Sequence, residues 1–270
     1  MPPDVLTPWQ RVQLARHVGR PLTLDYIERL FGDFVELHGD RLAADDAAIV
    51  GGLAELDRRT VMVLGHQKGR DTRSNLHRRF GMARPEGYRK ATRLLRQADR
   101  LGLPVLTFID IPGADPSLVA ERGGQAFAIA QTLLTLSQIR VPIVATIIGE
   151  GGSGGALALG LADRVLMLEH AIYSVASPEA AASILWQDGE RAREAAEAMQ
   201  ITSADLLRFG MIDAIVAEPP GGAHTDYAAA AATLQVALLD HLAELEHQSP
   251  EQLLSARAAR YRNIGSVASA

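Results

Sequence analysis

The chain has 270 residues, of which 47% are hydrophobic and 22% charged, with a net charge of −5. This is ordinary globular composition, enough for one large domain or two small ones. The charge argues against general nucleic-acid binding, no stretch approaches the ~18 unbroken apolar residues of a membrane span, and the lack of cysteine excludes disulfides, thiolate chemistry and cysteine-held zinc.

The opening MPPDVLTPWQRVQLARH has no apolar core and no small-residue cleavage site, so it does not read as a signal peptide. A cytoplasmic protein is expected, and residues 1–40 read as a short helical lead-in. AIVGGLAEL (48–56) and TVMVLGHQ (60–67) predict two strands separated by the hairpin-length gap Asp57-Arg58-Arg59. Pro85-Glu86 opens a helix in which Tyr88, Ala91, Leu94, Leu95, Ala98 and Leu101 recur at helical spacing until Gly102 stops it.

LPVLTFIDIPG (103–113) reads as a buried strand, 119–139 as a helix, and VPIVATIIGEG (141–151) as a second buried strand ending in a glycine loop. A short helix leads to the strands RVLMLEH (164–170) and AIYSVAS, the latter ending at Pro178-Glu179. Near-continuous apolar strands are expected to be parallel and covered on both faces, and their alternation with helices gives an α/β fold. From about 190 to 262 the pattern is helical, with an Ala/Leu period near 3.6 over 228–246, and the terminal SVASA reads as a frayed end. No Pro-, Gly- or Ser-rich linker divides the chain, so 1–270 reads as one domain.

Five glycines fall in the seven residues Gly149–Gly155, between a buried strand and a helix. Glycine permits positive φ and close approach of backbone N–H groups to a ligand, and a helix N-terminus adds partial positive charge. Three chemistries fit. Gly149-x-Gly151-x-x-Gly154, with Glu169 twenty residues on, matches a dinucleotide fingerprint. Gly151-x-Ser153-x-Gly155 matches a nucleophile elbow, with Asp163, Asp188, Asp205 and Asp213 preceding His224. The third is an oxyanion hole in which backbone N–H groups stabilise an enolate without any nucleophile. Simple close packing of helix on strand would use the same glycines.

Residues 66–90 hold eight Lys/Arg against two acids, +6, so the remainder carries −5 − 6 = −11. Such a segment on an acidic chain points to an anionic ligand, an acidic partner or a solvated loop. His17, His38, His77, His170, His241 and His247 are scattered without metal spacing and read as surface or capping residues.

GHQKGRDT (65–72), FGMARPEGYRKA (80–91), IGEGGSGGA (148–156), YSVASPE (173–179) and ASILW (182–186) occur in this order. Together they resemble the signature segments of the acetyl-CoA carboxylase carboxyltransferase α-subunit family, and the similarity runs from about Trp9 to 262. The resemblance implies a crotonase-like fold, a spiral of repeated β-β-α units with C-terminal helices. It implies transfer of a carboxyl group from carboxybiotin on a carrier protein to acetyl-CoA, giving malonyl-CoA in the first committed step of fatty acid synthesis. It also implies that the biotin nitrogen freed by CO2 release takes the acetyl proton. The implied partners are a β subunit completing an α2β2 assembly and its active site, the biotin carboxyl carrier protein and biotin carboxylase. No metal is expected in this chain.

Position by position, Gly155 and Ala156, preceded by Gly154, match residues whose N–H groups point at the biotin carbonyl. Gly113 and Ala114 match a second glycine turn lining the same pocket, and Lys68, Arg70, Arg89 and Lys90 become candidates for holding carboxylate or CoA phosphate. After Ala114 the chain departs from the family. Asp115 stands where an aromatic residue is usual, Ser117 replaces a glycine, and Glu121 alone remains of two acids. The acyl-chain preference is not readable, since the acyl pocket would be shared with the β subunit.

Overall fold

The computed structural model describes residues 6–265, so the predicted frayed end SVASA and the first five residues lie outside the described part. The chain opens with α1 (Pro8–Ala15) and α2 (Thr23–Leu30). Thr7 caps α1 in a reciprocal box with Gln10, and Pro8 supplies a preset φ at its first turn. Next come β1 (Phe34–Glu36), β2 (Ile49–Leu56) and β3 (Arg59–His66), all antiparallel neighbours. The β2–β3 turn is two residues long, because Leu56 pairs with Arg59. Asp57 and Arg58 both take positive φ, 48° and 64°, the turn whose twist suits a hairpin.

α3 (Thr72–His77) and α4 (Pro85–Leu101) follow. α4 stops at Gly102, which adopts the left-handed region at φ 69°. Its Tyr88, Ala91, Leu94, Leu95 and Ala98 are fully buried, while Leu101 is half exposed. Then come β4 (Val105–Ile111), α5 (Leu118–Arg122), α6 (Gln125–Gln138), β5 (Ile143–Gly152), α7 (Ser153–Gly160), β6 (Arg164–Leu168) and β7 (Ile172–Ser174). The single helix expected over 119–139 is two helices. Gly124 caps α6 at φ 86°, outside the right-handed helical region. The remainder is α8 (Pro178–Trp186), α9 (Ala192–Met199), α10 (Ser203–Arg208), β8 (Ala214–Val216), α11 (Tyr227–Glu246) and α12 (Pro250–Asn263).

The sheet order is β1-β2-β3-β4-β5-β6-β8, with β7 paired to the far end of β5. From β3 to β8 every pairing is parallel. β5 therefore has three partners. Residues 144–147 pair with β6, and 150–152 pair with β7. Every residue of β4 and β5 is buried, as expected for strands covered on both faces. α4 lies against β2 and β3, α7 against β4 and β5, and α2 and α11 cover other parts of the sheet. Two short strands correct the sequence reading. β1 falls in the expected helical lead-in and β8 in the expected helical C-terminal part. Three residues are too few to show a two-residue period.

Candidate active site

Parallel strands β3, β4 and β5 end on one side of the sheet, where ligands bind in open α/β folds. Three loops gather there: 67–71 after β3, Pro112-Gly113-Ala114 after β4, and Ser153-Gly154-Gly155 opening α7. Gly113, Ala114, Ser153 and Gly154 are half-buried, and Gly155 and Ala156 are buried. The turns touch. A Cβ placed on Gly155 would lie 2.8 Å from Ala114 N, 2.9 Å from Ile111 Cδ1 and 3.0 Å from Tyr88 Oη. The first N–H groups of a helix lack intrahelical partners. The Gly155 backbone thus stands beside the Ala114 N–H, which bonds to no described residue.

The glycine run works differently from the expectation of positive φ. None of Gly149–Gly155 has positive φ except the non-glycine Ser153, at 53°. Gly149 lacks a side chain so that Asp110 can lie over β5, since a Cβ there would be 2.4 Å from Asp110 Oδ1. Gly152 is pressed against the Pro112 carbonyl. Within the run, Gly154 alone faces open space, with nothing within 4 Å of an added Cβ. It borders a mostly apolar cavity of about 810 Å³ lined by Leu157, Tyr173, Val175, Ile201 and Phe209.

This geometry removes two of the three readings of the run. Gly149 and Gly151 lie inside β5 rather than in a strand-to-helix turn, and Glu169 commits its carboxylate to the Glu218 N–H. The dinucleotide fingerprint is therefore a coincidence of spacing. Ser153 has the positive φ of a nucleophile elbow, but among the described residues no histidine accepts its proton. His224 instead lies against His17, ring centroids 3.8 Å apart. Asp163 is held by Arg257 and Asp213 by Arg260, Asp188 caps its own turn, and the Asp205 carboxylate accepts from the Thr202 hydroxyl and Arg208.

The basic segment is neutralised from within the molecule. Lys68 bonds Asp110 at 2.7 Å and Glu150 at 2.9 Å. Arg70 pairs with Asp25, Arg79 with Asp46, and Arg84 with Asp115. Arg89 pairs with Asp40 and Glu86, and Lys90 with Asp45. Lys90 corrects the expectation most clearly. Its side chain is 1% exposed and its ammonium also donates to the Asp46 carbonyl, so no ligand reaches it. Arg89 is likewise spent on the 38–46 loop and the Gly123 carbonyl. Arg70, the most exposed of the four, leans over Tyr227. Of the four candidates, Lys68 and Arg70 lie on the loop after β3, and Lys68 is the one that stands between two carboxylates of β4 and β5.

These pairs set the charge states. Burial by itself would lower the Lys68 ammonium, but Asp110 and Glu150 outweigh it and hold it above the ordinary lysine value. Burial would raise Glu150, yet Lys68 and Arg16 keep it below the usual range. Asp115, the residue departing from the family pattern, is buried and accepts from Arg84 Nε and the Ser117 N–H. Ser117 in turn caps α5. The altered loop is thus a closed, satisfied turn.

Residues absent from the sequence reading complete the site. His66 is 1% exposed, its ring reaches the Gly155 backbone, and neither nitrogen closes a well-aligned hydrogen bond. The Tyr88 hydroxyl is also buried without a partner. Asp110, Glu150 and Arg16 form ion pairs there. His66, Tyr88 and Glu150 all lie within the recurring motifs, which was the available signal. Among the described residues, no group of three or more His, Cys, Asp or Glu could hold a metal. No helix there is long and apolar enough to cross a membrane.

Residues 4–265 match the family described as acetyl co-enzyme A carboxylase carboxyltransferase-like. The acetyl-coenzyme A carboxylase carboxyl transferase subunit alpha of a Thermus thermophilus strain is 59% identical over 263 residues, 97% of this chain and 84% of that protein. Its namesake in Halorhodospira halophila is 56% identical over 260 residues, 96% of this chain and 82% of that protein. Among solved structures, a transcarboxylase 12S with methylmalonyl-coenzyme A and methylmalonic acid bound has a TM-score of 0.69. It is 20% identical, with 87% of this chain and 44% of that one covered. A Pseudomonas malonate decarboxylase hetero-tetramer in complex with coenzyme A has a TM-score of 0.70. It is 19% identical, with 89% and 96% covered. The fold is the crotonase-like α/β fold of these neighbours.

Proposed function

The chain belongs to the acetyl-CoA carboxylase carboxyltransferase-like family, and on that premise we propose how its site serves a biotin-dependent carboxyltransferase. The chain is the α-subunit type, and it carries the half of the active site that faces carboxybiotin. The observation that carries this reading is the meeting of two glycine turns, Gly113-Ala114 and Ser153–Gly155, with N–H groups free and no histidine among the described residues bonded to Ser153 to make it a nucleophile.

In the overall reaction the C–N bond of carboxybiotin breaks and a C–C bond forms to the acetyl-CoA α-carbon, whose proton goes to the biotin nitrogen. The products are biotin and malonyl-CoA. Negative charge gathers on the ureido oxygen as the C–N bond breaks. Preorganised N–H donors aimed at that oxygen lower the barrier, and removing one such donor costs about 100–1000-fold in kcat. The N–H groups of Gly154, Gly155 and Ala114 supply donors of this kind. The apolar cavity beside Gly154 suits the hydrocarbon arm that tethers biotin to its carrier.

The α-subunit designation of the relatives supports a β subunit as the partner that holds acyl-CoA. Biotin carboxyl carrier protein and biotin carboxylase would act upstream, all in the cytoplasm. The test is decarboxylation of malonyl-CoA in the presence of biocytin. The chain alone should be inactive and co-expression with the β subunit should give turnover. Ser153→Ala should keep most of that activity. Robust turnover by the chain alone, or loss of activity in Ser153→Ala equal to that of a nucleophile knockout, overturns the proposal.

A further inference from the structure

We propose that Lys68 is a positioning residue, not a substrate ligand: its ammonium cross-links Asp110 and Glu150 and so sets the spacing of the two turns that present the N–H groups. The inference rests on the carboxyltransferase reading for its catalytic meaning, but the geometry behind it is independent of that reading.

Asp110 is the penultimate residue of β4, three residues before Gly113, and Glu150 lies in β5 five residues before Gly155. The pairing between these strands is irregular here, with a register shift between Ile109 and Ile111. The ladder resumes at Ile111 with Gly151, so the irregularity leaves Asp110 and Glu150 to be linked through their side chains just before the turns. Lys68 Nζ donates to Asp110 Oδ1 at 2.7 Å and Glu150 Oε2 at 2.9 Å. The same Asp110 oxygen accepts from the Glu150 N–H at 3.0 Å. One oxygen is thus held by groups from β5 and from the loop after β3.

The network extends outward. Arg16, just past α1, donates Nε to Glu150 Oε1 at 2.7 Å and Nη1 to Glu179 Oε1 at 2.6 Å, at the start of α8. The stem of Lys68 is seated as well. A Cβ on Gly81 would lie 3.1 Å from Lys68 Cγ, and Gly81 has φ +81°. The chain Glu179–Arg16–Glu150–Lys68–Asp110 holds three negative and two positive charges. An anionic substrate group at Lys68 would add a third negative charge to the two carboxylates already there. The structure thus favours a cross-link over an anion site.

The experiment uses the chain co-assembled with its β subunit and compares wild type with Lys68→Met, Lys68→Arg, Glu150→Gln and Lys68→Met/Glu150→Gln. Amide hydrogen exchange is followed in peptides spanning 111–116 and 150–157, alongside malonyl-CoA and biocytin kinetics. Lys68→Met should speed exchange at both turns. It should lower kcat about 100-fold, the scale expected for misplacement of reacting groups by about 1 Å, while KM for either substrate moves less than about twofold. Lys68→Arg should recover part of kcat. The double variant should lose no more than Lys68→Met, because both changes cut one link.

Unchanged exchange at the two turns overturns the proposal. So does a raised KM with kcat intact, the signature of a substrate ligand, and so does additive loss in the double variant. If Lys68→Met fails to assemble, Glu150→Gln carries the same comparison, since it leaves Lys68 on Asp110. If the wild-type complex itself shows no turnover, the carboxyltransferase reading fails while hydrogen exchange still decides the cross-link.

Discussion

A methyl group at Gly155 would come within 3.0 Å of Ala114 N, Ile111 Cδ1 and Tyr88 Oη, whereas one at Gly154 would meet nothing within 4 Å. Two adjacent glycines are therefore bare for different reasons. Gly155→Ala should shift the Gly113-Ala114 turn and destabilise the fold by about 1–3 kcal/mol, the usual cost of overpacking. Gly154→Ala should fold with wild-type stability and, if harmful, act only on turnover. Thermal unfolding of the two variants checks this, and equal melting temperatures would contradict it. His66 makes a prediction at the same scale. Burial, then the Lys68 charge, push its imidazole down from 6.5 to about 3. Between those values the unfolded chain binds the extra proton, so stability rises with pH and is lost on acidification below 6.5. One such group contributes at most about 1.4 kcal/mol per pH unit. Urea titrations between about pH 7 and about pH 5 should show this slope, and His66→Gln should flatten it.

At the scale of elements, one buried residue anchors the C-terminal helix. Arg257 of α12 is 2% exposed and grips Asp163 through Nε and Nη2 at 2.9 and 2.7 Å. It also donates to the carbonyls of Leu136, Ile139 and Val141, at and beyond the end of α6. Asp163 meanwhile accepts from the Ile143 N–H at the start of β5. Arg257 thus ties α12, α6 and β5 into one unit. Removing one partner of a buried pair strands the other charge, at about 3–5 kcal/mol. Arg257→Met should cost about that much in urea denaturation, and a loss below about 1 kcal/mol would show that the carbonyls find other partners. The break between α5 and α6 has a comparable local cause in Gly124 at φ 86°.

Over the whole molecule, the +6 segment 66–90 and the −11 remainder are matched side chain to side chain. Six of its eight cations contact carboxylates, seven of which lie outside the segment: Asp25, Asp40, Asp45, Asp46, Asp110, Asp115 and Glu150. The segment therefore fastens the loops around the site and does not advertise positive charge to an anionic ligand. Raising ionic strength from about 0.05 to about 0.5 M should change KM for malonyl-CoA in the assembled enzyme less than about twofold, since pairs removed from solvent are screened little. Lys90→Met should lower stability by about 2 kcal/mol, less than a fully buried pair because Asp45 is partly exposed, with KM unchanged. A steep salt dependence of KM would restore a ligand-binding role for this segment.

Local physics was legible in the chain itself. Two strand-like runs and a short gap marked the β2–β3 hairpin, helical spacing closed by Gly102 marked α4, and apolar runs marked β4 and β5 as covered strands. Ordered motifs marked the family and brought Gly113, Ala114 and Gly154–Ala156 forward as a site. Other features depend on partners far away in the sequence. Lys68 meets Glu150 across 82 residues and Lys90 meets Asp45 across 45, so neither cation's role could be read from its own neighbours. The glycines of 149–155 look alike in the sequence. Only the approach of Asp110, Pro112 and Ala114 separates those that make room for the backbone and side chains around them from Gly154, which faces the cavity. Sequence spacing determines which elements form, because periodicity and turn chemistry act over a few residues. Tertiary structure decides which charges neutralise each other and which N–H groups stay free, because those depend on distances between elements.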